Sequence, residues 1–155
     1  MIPLRRLSEQ DRPRLKEFWT EQWGGPEMIV QGELIPYDHV EGFIYGDWEG
    51  LITYRVRDDV CEITSLDSLS PGRGVGTMMI DMVVTEAKWR GCRRVSLITT
   101  NDNLHALGFY QRRGFELVAI HRAALERSRL LKPSIPLIGL NNIPLHDEIE
   151  LEITL

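Results

Sequence analysis

The chain has only two cysteines, Cys61 and Cys92, which excludes a disulfide framework, and their spacing excludes a cysteine-held metal. Cys61 falls in a strand-like segment and Cys92 just after a helical one, so both are expected as buried thiols of a reducing compartment. No apolar run reaches the ~18 residues that a membrane span requires. The start, Met1 to Arg6, lacks the apolar region of a secretory signal. There is no basic run or stripe, and the formal net charge is -5, from 18 Lys and Arg against 23 Asp and Glu. A nucleic-acid partner is therefore not expected. The four histidines, His39, His105, His121 and His146, include no i,i+4 pair, so no metal is expected. Repeats, low-complexity tracts and linkers are missing too. The expectation is a soluble cytoplasmic protein with no membrane partner.

What is present suits one domain over residues 1–155, with 43% hydrophobic and 26% charged residues to make a packed core. Ile2 to Leu7 reads as a strand. Ser8 reads as an N-cap for a helix to Trp23, with Pro13 in its first turn and Gly24-Gly25-Pro26 as its stop. Met28 to Tyr37 reads as extended and broken near Pro36. Gly42–Tyr45, Leu51–Arg57 and Val60–Leu66 read as an antiparallel meander, with tight turns at 46–50 and at Asp58-Asp59. A helix from Thr77 to Arg90 carries the stripe Met79, Ile80, Val83, Val84 and Ala87, widened by Met78, Met82 and Trp89. Arg94–Thr99 and Phe115–Ile120 read as strands around a helix capped by Asn101 or Asp102. Ala123–Leu131 has helical spacing, and Lys132–Pro144 reads as a long loop. In Glu148–Leu155, Ile149, Leu151, Ile153 and Leu155 alternate with Glu148, Glu150 and Glu152, as in a half-buried terminal strand. This strand can return to pair beside an earlier one. The order predicts an α/β (α+β) fold, a mixed and mostly antiparallel sheet with helices on both faces.

Two segments carry chemistry. Pro71-Gly72-Arg73-Gly74-Val75-Gly76-Thr77 joins a strand to a helix. Glycines let successive N–H groups curl inward. The first N–H groups of a helix lack intrahelical partners and carry the positive end of its dipole. A pyrophosphate fits there, with Arg73 as a mobile cation. The spacing matches neither a dinucleotide fingerprint nor a Walker A loop, and a plain strand–helix turn has the same composition.

About thirty residues on, Asn103 to Phe115 forms a helix with a glycine exit. Asn103 and Tyr110 are seven residues, or two turns, apart and share a face. Ala106 between them leaves room for close approach. Tyr110 alone reads equally as a core tyrosine whose hydroxyl is satisfied by a neighbour. The pattern Asn-x-x-Ala-x-x-Phe-Tyr-x-x-x-Gly-Phe at Asn103, Ala106, Phe109, Tyr110, Gly114 and Phe115 resembles the GNAT acetyltransferases. So does the turn, where Gly74 and Gly76 fill the last small positions of Arg/Gln-x-x-Gly-x-Gly/Ala. Pro71 departs from it, standing where that family has Arg or Gln and offering no N–H. The resemblance runs from roughly Leu51 to Ile120.

That resemblance implies an N-acetyltransferase with acetyl-CoA as co-substrate and no metal, acting on a small-molecule or peptide primary amine. It implies that the strand end at Leu66, Ser68 and Leu69, the turn residues Gly72, Arg73, Gly74, Val75, Gly76 and Thr77, and Asn103, Ala106 and Tyr110 bind the co-substrate. Tyr110 would lie beside the thioester sulfur, and a phenol there can protonate the departing thiolate. A base must take the amine proton, and Glu62 and Asp67 are the candidates; Glu62 is slightly favoured, because a carboxylate facing inward in a strand is costly unless used. Trp19 and Trp23, an i,i+4 pair, read as core packing or as a lid over the acceptor pocket. The segment Arg122 to Asp147 is suspected as part of the acceptor wall. A non-catalytic acyl-CoA-binding or sensing module on the same fold is the alternative. A homodimer is left open, with no seam to mark one.

Overall fold

The computed structural model describes residues 3–70 and 72–155. The expected strand start at Ile2 and the departure at Pro71 lie outside the described residues. In chain order the elements are β1 (Leu4–Arg6), α1 (Arg12–Trp23), β2 (Glu27–Val30), β3 (Glu33–Pro36), β4 (Glu41–Tyr45), β5 (Gly50–Arg57), β6 (Val60–Ser68), α2 (Val75–Trp89), β7 (Arg94–Thr100), α3 (Leu104–Arg112), β8 (Glu116–His121), α4 (Ala124–Leu131) and β9 (Glu148–Thr154). Short 3₁₀ turns precede α1 at Glu9–Asp11 and lie at Tyr37–His39 and Leu140–Asn142. The fold is mixed α/β, and the ladders β1–β4, β4–β5, β5–β6 and β8–β9 are antiparallel, in line with the mostly antiparallel sheet expected. Two compact units can be distinguished: Met1–Met28, Ile35–Val95 and Thr154–Leu155 in the first, Ile29–Leu34 and Ser96–Ile153 in the second.

In the first unit the strand order is β1-β4-β5-β6. The meander forms because each strand carries an apolar row and each connection is tight. Asp58 adopts φ 56° in the two-residue turn from β5 to β6, with Arg57 opposite Val60. Along β6 the buried residues Cys61, Ile63 and Ser65 alternate with half-buried neighbours, the period-two pattern of the sequence. A bulge interrupts it. Thr53 faces Ser65 while Tyr54 faces Ile63, so Thr64 is the extra residue. Thr53 Oγ1 joins Thr64 Oγ1 at 2.7 Å and Ser65 Oγ at 2.6 Å, which satisfies three hydroxyls at the irregularity.

Helix α1 starts later than expected. The Ser8 N–H and Oγ–H both donate to Asp11 Oδ2, at 2.8 and 3.0 Å, around the 3₁₀ turn. The α-helix proper then begins at Arg12, and Gly24 ends it at φ 83°. Helix α2 buries Val75, Met79, Ile80, Val83 and Ala87 and packs on β4, β5 and β6. Each of the valine, methionine and isoleucine side chains contributes about 1.5–3 kcal/mol by burial. Trp89, placed on that stripe by its spacing, is 86% exposed at the helix's last turn. Gly50 explains how close the start of α2 sits to β5. A Cβ there would lie 2.9 Å from Val75 Cγ1 and 3.1 Å from Met79 Cε, so a larger residue would force those side chains to shift.

In the second unit β9 runs between β7 and β8 in the strand order, the expected return of a late strand. It pairs antiparallel with β8, with a bulge at Val118. Three expectations are corrected here. Asn101 and Asp102 do not cap α3; they grip the long loop. Asn101 Oδ1 accepts the N–H groups of His146 and Asp147, and Asp102 Oδ2 accepts that of Leu140 at 2.7 Å. Asn103 is the cap. Met28–Tyr37 is not a broken extended run but the hairpin β2–β3, closed by Gln31 at φ 51° and Gly32 at φ 73°. Glu148, assigned to the solvated side of the last strand, is 2% exposed. Its carboxylate accepts the Gln31 N–H, a bond that offsets part of its desolvation.

Candidate active site

The first unit holds the strand end and the turn in one continuous run. Leu66, Asp67 and Ser68 close β6, and the Leu69 N–H donates to the Glu49 carbonyl at 2.8 Å. Gly72 and Gly74 take φ 84° and 73°, conformations that a side chain would strain. A Cβ on either would meet nothing within 4 Å, so the turn borders open space. Gly74 is the N-cap of α2, and no side chain caps it. The first intrahelical bond is Met78 N–H to the Gly74 carbonyl at 3.0 Å. The N–H groups of Val75 and Gly76 thus precede the helical ladder, in the position that suits an anion. Arg73 is exposed beside them. These N–H groups and the Arg73 guanidinium are groups that could hold an anion.

The two carboxylates of β6 have different surroundings. Glu62 stands opposite Arg55 across the ladder and accepts from its Nε at 2.6 Å, with Arg57 Nη2 at 3.9 Å. It faces out of the core, held between two guanidinium groups. Among the described residues no cation stands beside Asp67. Burial raises its carboxyl to about 6, opposed by one hydrogen bond from Trp23 Nε1 at 3.0 Å. Trp19, one turn earlier in α1, is fully buried and donates from Nε1 to Ser65 Oγ at 3.3 Å. Of the two tryptophans only Trp19 packs in the core, while Trp23 is 45% exposed with its indole nitrogen on Asp67.

The second unit holds α3. The Asn103 Oδ1 accepts the Ala106 N–H at 3.1 Å, the N-cap bond for which asparagine is favoured. Helix α3 has no fully buried residue, unlike α2. Asn103, Ala106 and Tyr110 are all half-buried. The Tyr110 ring meets Phe109 at 5.5 Å and Phe115 at 5.8 Å between centroids, both edge to face. Phe115 is buried. The Phe115 N–H bonds back to the Tyr110 carbonyl at 3.1 Å, and Gly114 takes φ 94°. This explains the Gly-Phe that ends the motif: the glycine turns the chain and the phenylalanine anchors the tyrosine ring. His105 stacks on Phe109 and is exposed. Among the described residues no group of three His, Cys, Asp or Glu is placed to hold a metal, and no helix is long and apolar enough to cross a membrane. Cys61 and Cys92 are buried and unbonded to each other.

The sequence did not point to Trp23 as the partner of Asp67. Its only trace was the i,i+4 spacing of the tryptophans against the i,i+2 spacing of Ser65 and Asp67. The bulge at Thr64 left no trace.

Residues 12–115 match the family model described as Acetyltransferase (GNAT) family. The uncharacterized protein YdhI of Bacillus subtilis (strain 168) is 41% identical over 139 residues, covering 87% of each chain. In fold the chain is similar to a Bacillus subtilis acetyltransferase crystallised in complex with CoA. The TM-score there is 0.71 at 19% identity, with 100% of this chain and 99% of that one covered. It is also similar to a GNAT family acetyltransferase from Elizabethkingia anophelis with acetyl-CoA bound. That likeness has a TM-score of 0.65 at 22% identity, over 76% of this chain and 78% of that one.

Proposed function

The chain belongs to the GNAT acetyltransferase family, and from that premise we propose that it is an N-acetyltransferase, one catalytic domain over residues 1–155. Its co-substrate is acetyl-CoA, and its acceptor is a primary amine of a small molecule or peptide. The observation that carries the amine reading is Asp67: a half-buried carboxylate with no cation beside it among the described residues, at the end of the strand that leads into the anion-binding turn.

The N–H groups at the start of α2 and the Arg73 guanidinium bind the pyrophosphate. The Oδ1 of Asn103 is used by the cap bond, so its amide Nδ2 is the group that donates to the pantetheine arm. Ala106 keeps the side of α3 low where that arm lies. The amine nitrogen forms a bond to the acetyl carbon, and the carbon–sulfur bond breaks. As the new bond forms the amine proton becomes far more acidic, and Asp67 takes it. A base with pKa near the working pH is the effective one, and Asp67 is ionised at pH 7 while more basic than an ordinary carboxylate. Glu62 is held by Arg55 and is not assigned this role. The Tyr110 phenol supplies a proton to the thiolate, whose pKa is near ~8.5.

The test is thiol release from acetyl-CoA against a panel of amines, beside the thermal shift that CoA alone produces. Turnover with at least one amine, lost in Asp67→Asn, is expected. A CoA shift without turnover on any amine would assign the non-catalytic acyl-CoA module instead, and no shift at saturating CoA would remove both.

A further inference from the structure

Four side chains of the first unit form one chain of hydrogen bonds at the β6 bulge. Trp19 Nε1 donates to Ser65 Oγ at 3.3 Å, Ser65 Oγ meets Thr53 Oγ1 at 2.6 Å, and Thr53 Oγ1 meets Thr64 Oγ1 at 2.7 Å. The direction of this chain follows from its protons. An indole N–H only donates, and each hydroxyl carries one proton. The two contacts between hydroxyls use two of the three hydroxyl protons and leave one over. These hydroxyls make no further hydrogen bond among the described residues. On Thr53, fully buried, or on Ser65, 6% exposed, the remaining proton would be shut away without an acceptor, the costlier arrangement. Thr64 is half-buried. The donors therefore run from Trp19 through Ser65 and Thr53 to Thr64, and the Thr64 O–H is the proton left for a ligand.

The bulge makes this arrangement possible. In a regular strand Thr64 would lie on the opposite face from Ser65. As the extra residue it reaches the same Thr53 hydroxyl that Ser65 reaches. Ser65 and Asp67 share the face of β6 that α1 meets with Trp19 and Trp23. Thr64 and Asp67 are three residues apart, about 10 Å along the strand. That span has room for two hydrogen bonds of about 2.8 Å with a carbonyl and an attacking amine between them.

On the reading that this chain moves acetyl from acetyl-CoA to an amine, we propose that the Thr64 hydroxyl is a catalytic donor to the acetyl carbonyl oxygen. As the amine nitrogen bonds to the acetyl carbon, the carbonyl π pair moves onto that oxygen. The Thr64 O–H stabilises the charge there and keeps its own proton. When the carbon–sulfur bond breaks, the pair returns and the carbonyl is remade. A donor placed on the amine instead would occupy the lone pair that attacks, so the carbonyl oxygen is the productive acceptor. Thr53, Ser65 and Trp19 are positioning residues. They fix the Thr64 hydroxyl before the reaction begins, and a hydroxyl that accepts one hydrogen bond donates a stronger one.

Two measurements on the full chain test this: kinetics with the best amine of a panel, and infrared spectra of bound acetyl-CoA isotopically labelled at its carbonyl carbon. Thr64→Val should lower kcat about 10²-fold, with the KM for the amine and the affinity for CoA nearly unchanged. Thr64→Ser keeps the hydroxyl and should restore kcat to within about tenfold of wild type. The carbonyl band should move to higher wavenumber in Thr64→Val, because a lost hydrogen bond stiffens the carbonyl, and stay in place in Thr64→Ser. Thr64→Ala repeats both measurements if circular dichroism shows the valine variant misfolded. Near-wild-type kcat in Thr64→Val, with only its thermal midpoint changed, would overturn the proposal. So would equal losses in the serine and valine variants, or a loss confined to the amine KM. If wild type binds acetyl-CoA but turns over no amine, the transferase reading fails by itself. The carbonyl band then decides on Thr64: a shift in the valine variant upholds the contact, and an unmoved band overturns it. A chain that binds no acetyl-CoA overturns both.

Discussion

The Trp23 indole Nε1–H donates to Asp67 Oδ2 at 3.0 Å, tying the last residue of α1 to the end of β6. One turn earlier Trp19 makes the matching bond to Ser65 at 3.3 Å. Four helical residues advance about 6 Å, and two strand residues about 6.6 Å. The two repeats are nearly equal, so one helix edge can hold alternate residues of a strand. The buried pair fixes the helix, and the exposed pair leaves a carboxylate poised between core and solvent.

If Asp67 is the base, kcat/KM should rise with pH along a limb with midpoint about 6, the value to which burial raises its carboxyl. The rise follows loss of its proton, since only the carboxylate accepts one. Asp67→Asn should flatten the limb and cut the plateau on the order of 10²-fold or more. An unchanged limb in that variant would transfer the role elsewhere. Glu62→Gln should leave the limb in place.

Trp23→Phe gives a second reading of the same group. The indole bond favours the charged carboxylate, and such a bond is worth about 0.5–1.5 kcal/mol. Its loss should move the limb upward by up to about one pH unit, while the plateau stays near wild type. A limb that moves downward, or a plateau lost with the limb unmoved, would show that Trp23 acts on the acceptor and not on Asp67.

Tyr110→Phe keeps the edge-to-face contacts with Phe109 and Phe115 and removes only the hydroxyl. The expected result is a kcat lower by roughly 10²-fold or more with CoA affinity, measured by calorimetry, nearly unchanged. Near-wild-type turnover would reject the phenol as the acid.

The sequence was most legible where local chemistry decides structure. The meander, the glycine turn and the Asn103–Phe115 helix rest on alternation, on φ and on capping, each visible in a few residues. It was least legible where distant segments decide. Asn101 and Asp102 are the caps that the sequence suggests, and Asn103 beside them is of the same residue type. Only the loop folding back from Leu140 to Asp147 engages the first two and leaves the cap to the third. Glu62 and Asp67 were likewise two carboxylates on one strand. The cross-strand Arg55 and the helix carrying Trp23 set them apart, and neither neighbour can be read from β6 itself. The family followed from the short motifs, which is why it was found while the base was left between two residues.

Acid stability should report on Asp11. The hydrogen-bonded Arg5 guanidinium lowers its carboxyl from 3.8 to about 2, helped by Ser8. A depressed carboxyl contributes stability above the unfolded value and loses it as pH falls toward the folded one. Asp11→Asn should therefore lower the thermal midpoint at neutral pH. The gap between variant and wild type should close as pH drops from about 4 to about 2. Half-exposed Arg5 limits the effect to roughly 1 kcal/mol. A gap that widens in acid would contradict this account.

Glu148 is the strongest stability prediction. Its carboxylate is 2% exposed and accepts the Gln31 N–H at 3.1 and 3.3 Å through its two oxygens. Gln31 holds φ 51°, which a non-glycine residue adopts only where its surroundings compel it. The bond to β9 is one such constraint at the tip of the β2–β3 hairpin. Glu148→Ala removes the acceptor and leaves a donor short of its partner, at a cost of about 1–3 kcal/mol. Amide exchange at Gln31 and Gly32 should quicken more than at the β8–β9 ladder, because the tip loses its tie first. Glu148→Gln keeps an oxygen that can accept the same N–H, so its loss should be smaller and exchange at the tip slower than in the alanine variant. Equal losses in the two variants would mean that the charge, and not the bond to Gln31, is what the buried carboxylate supplies.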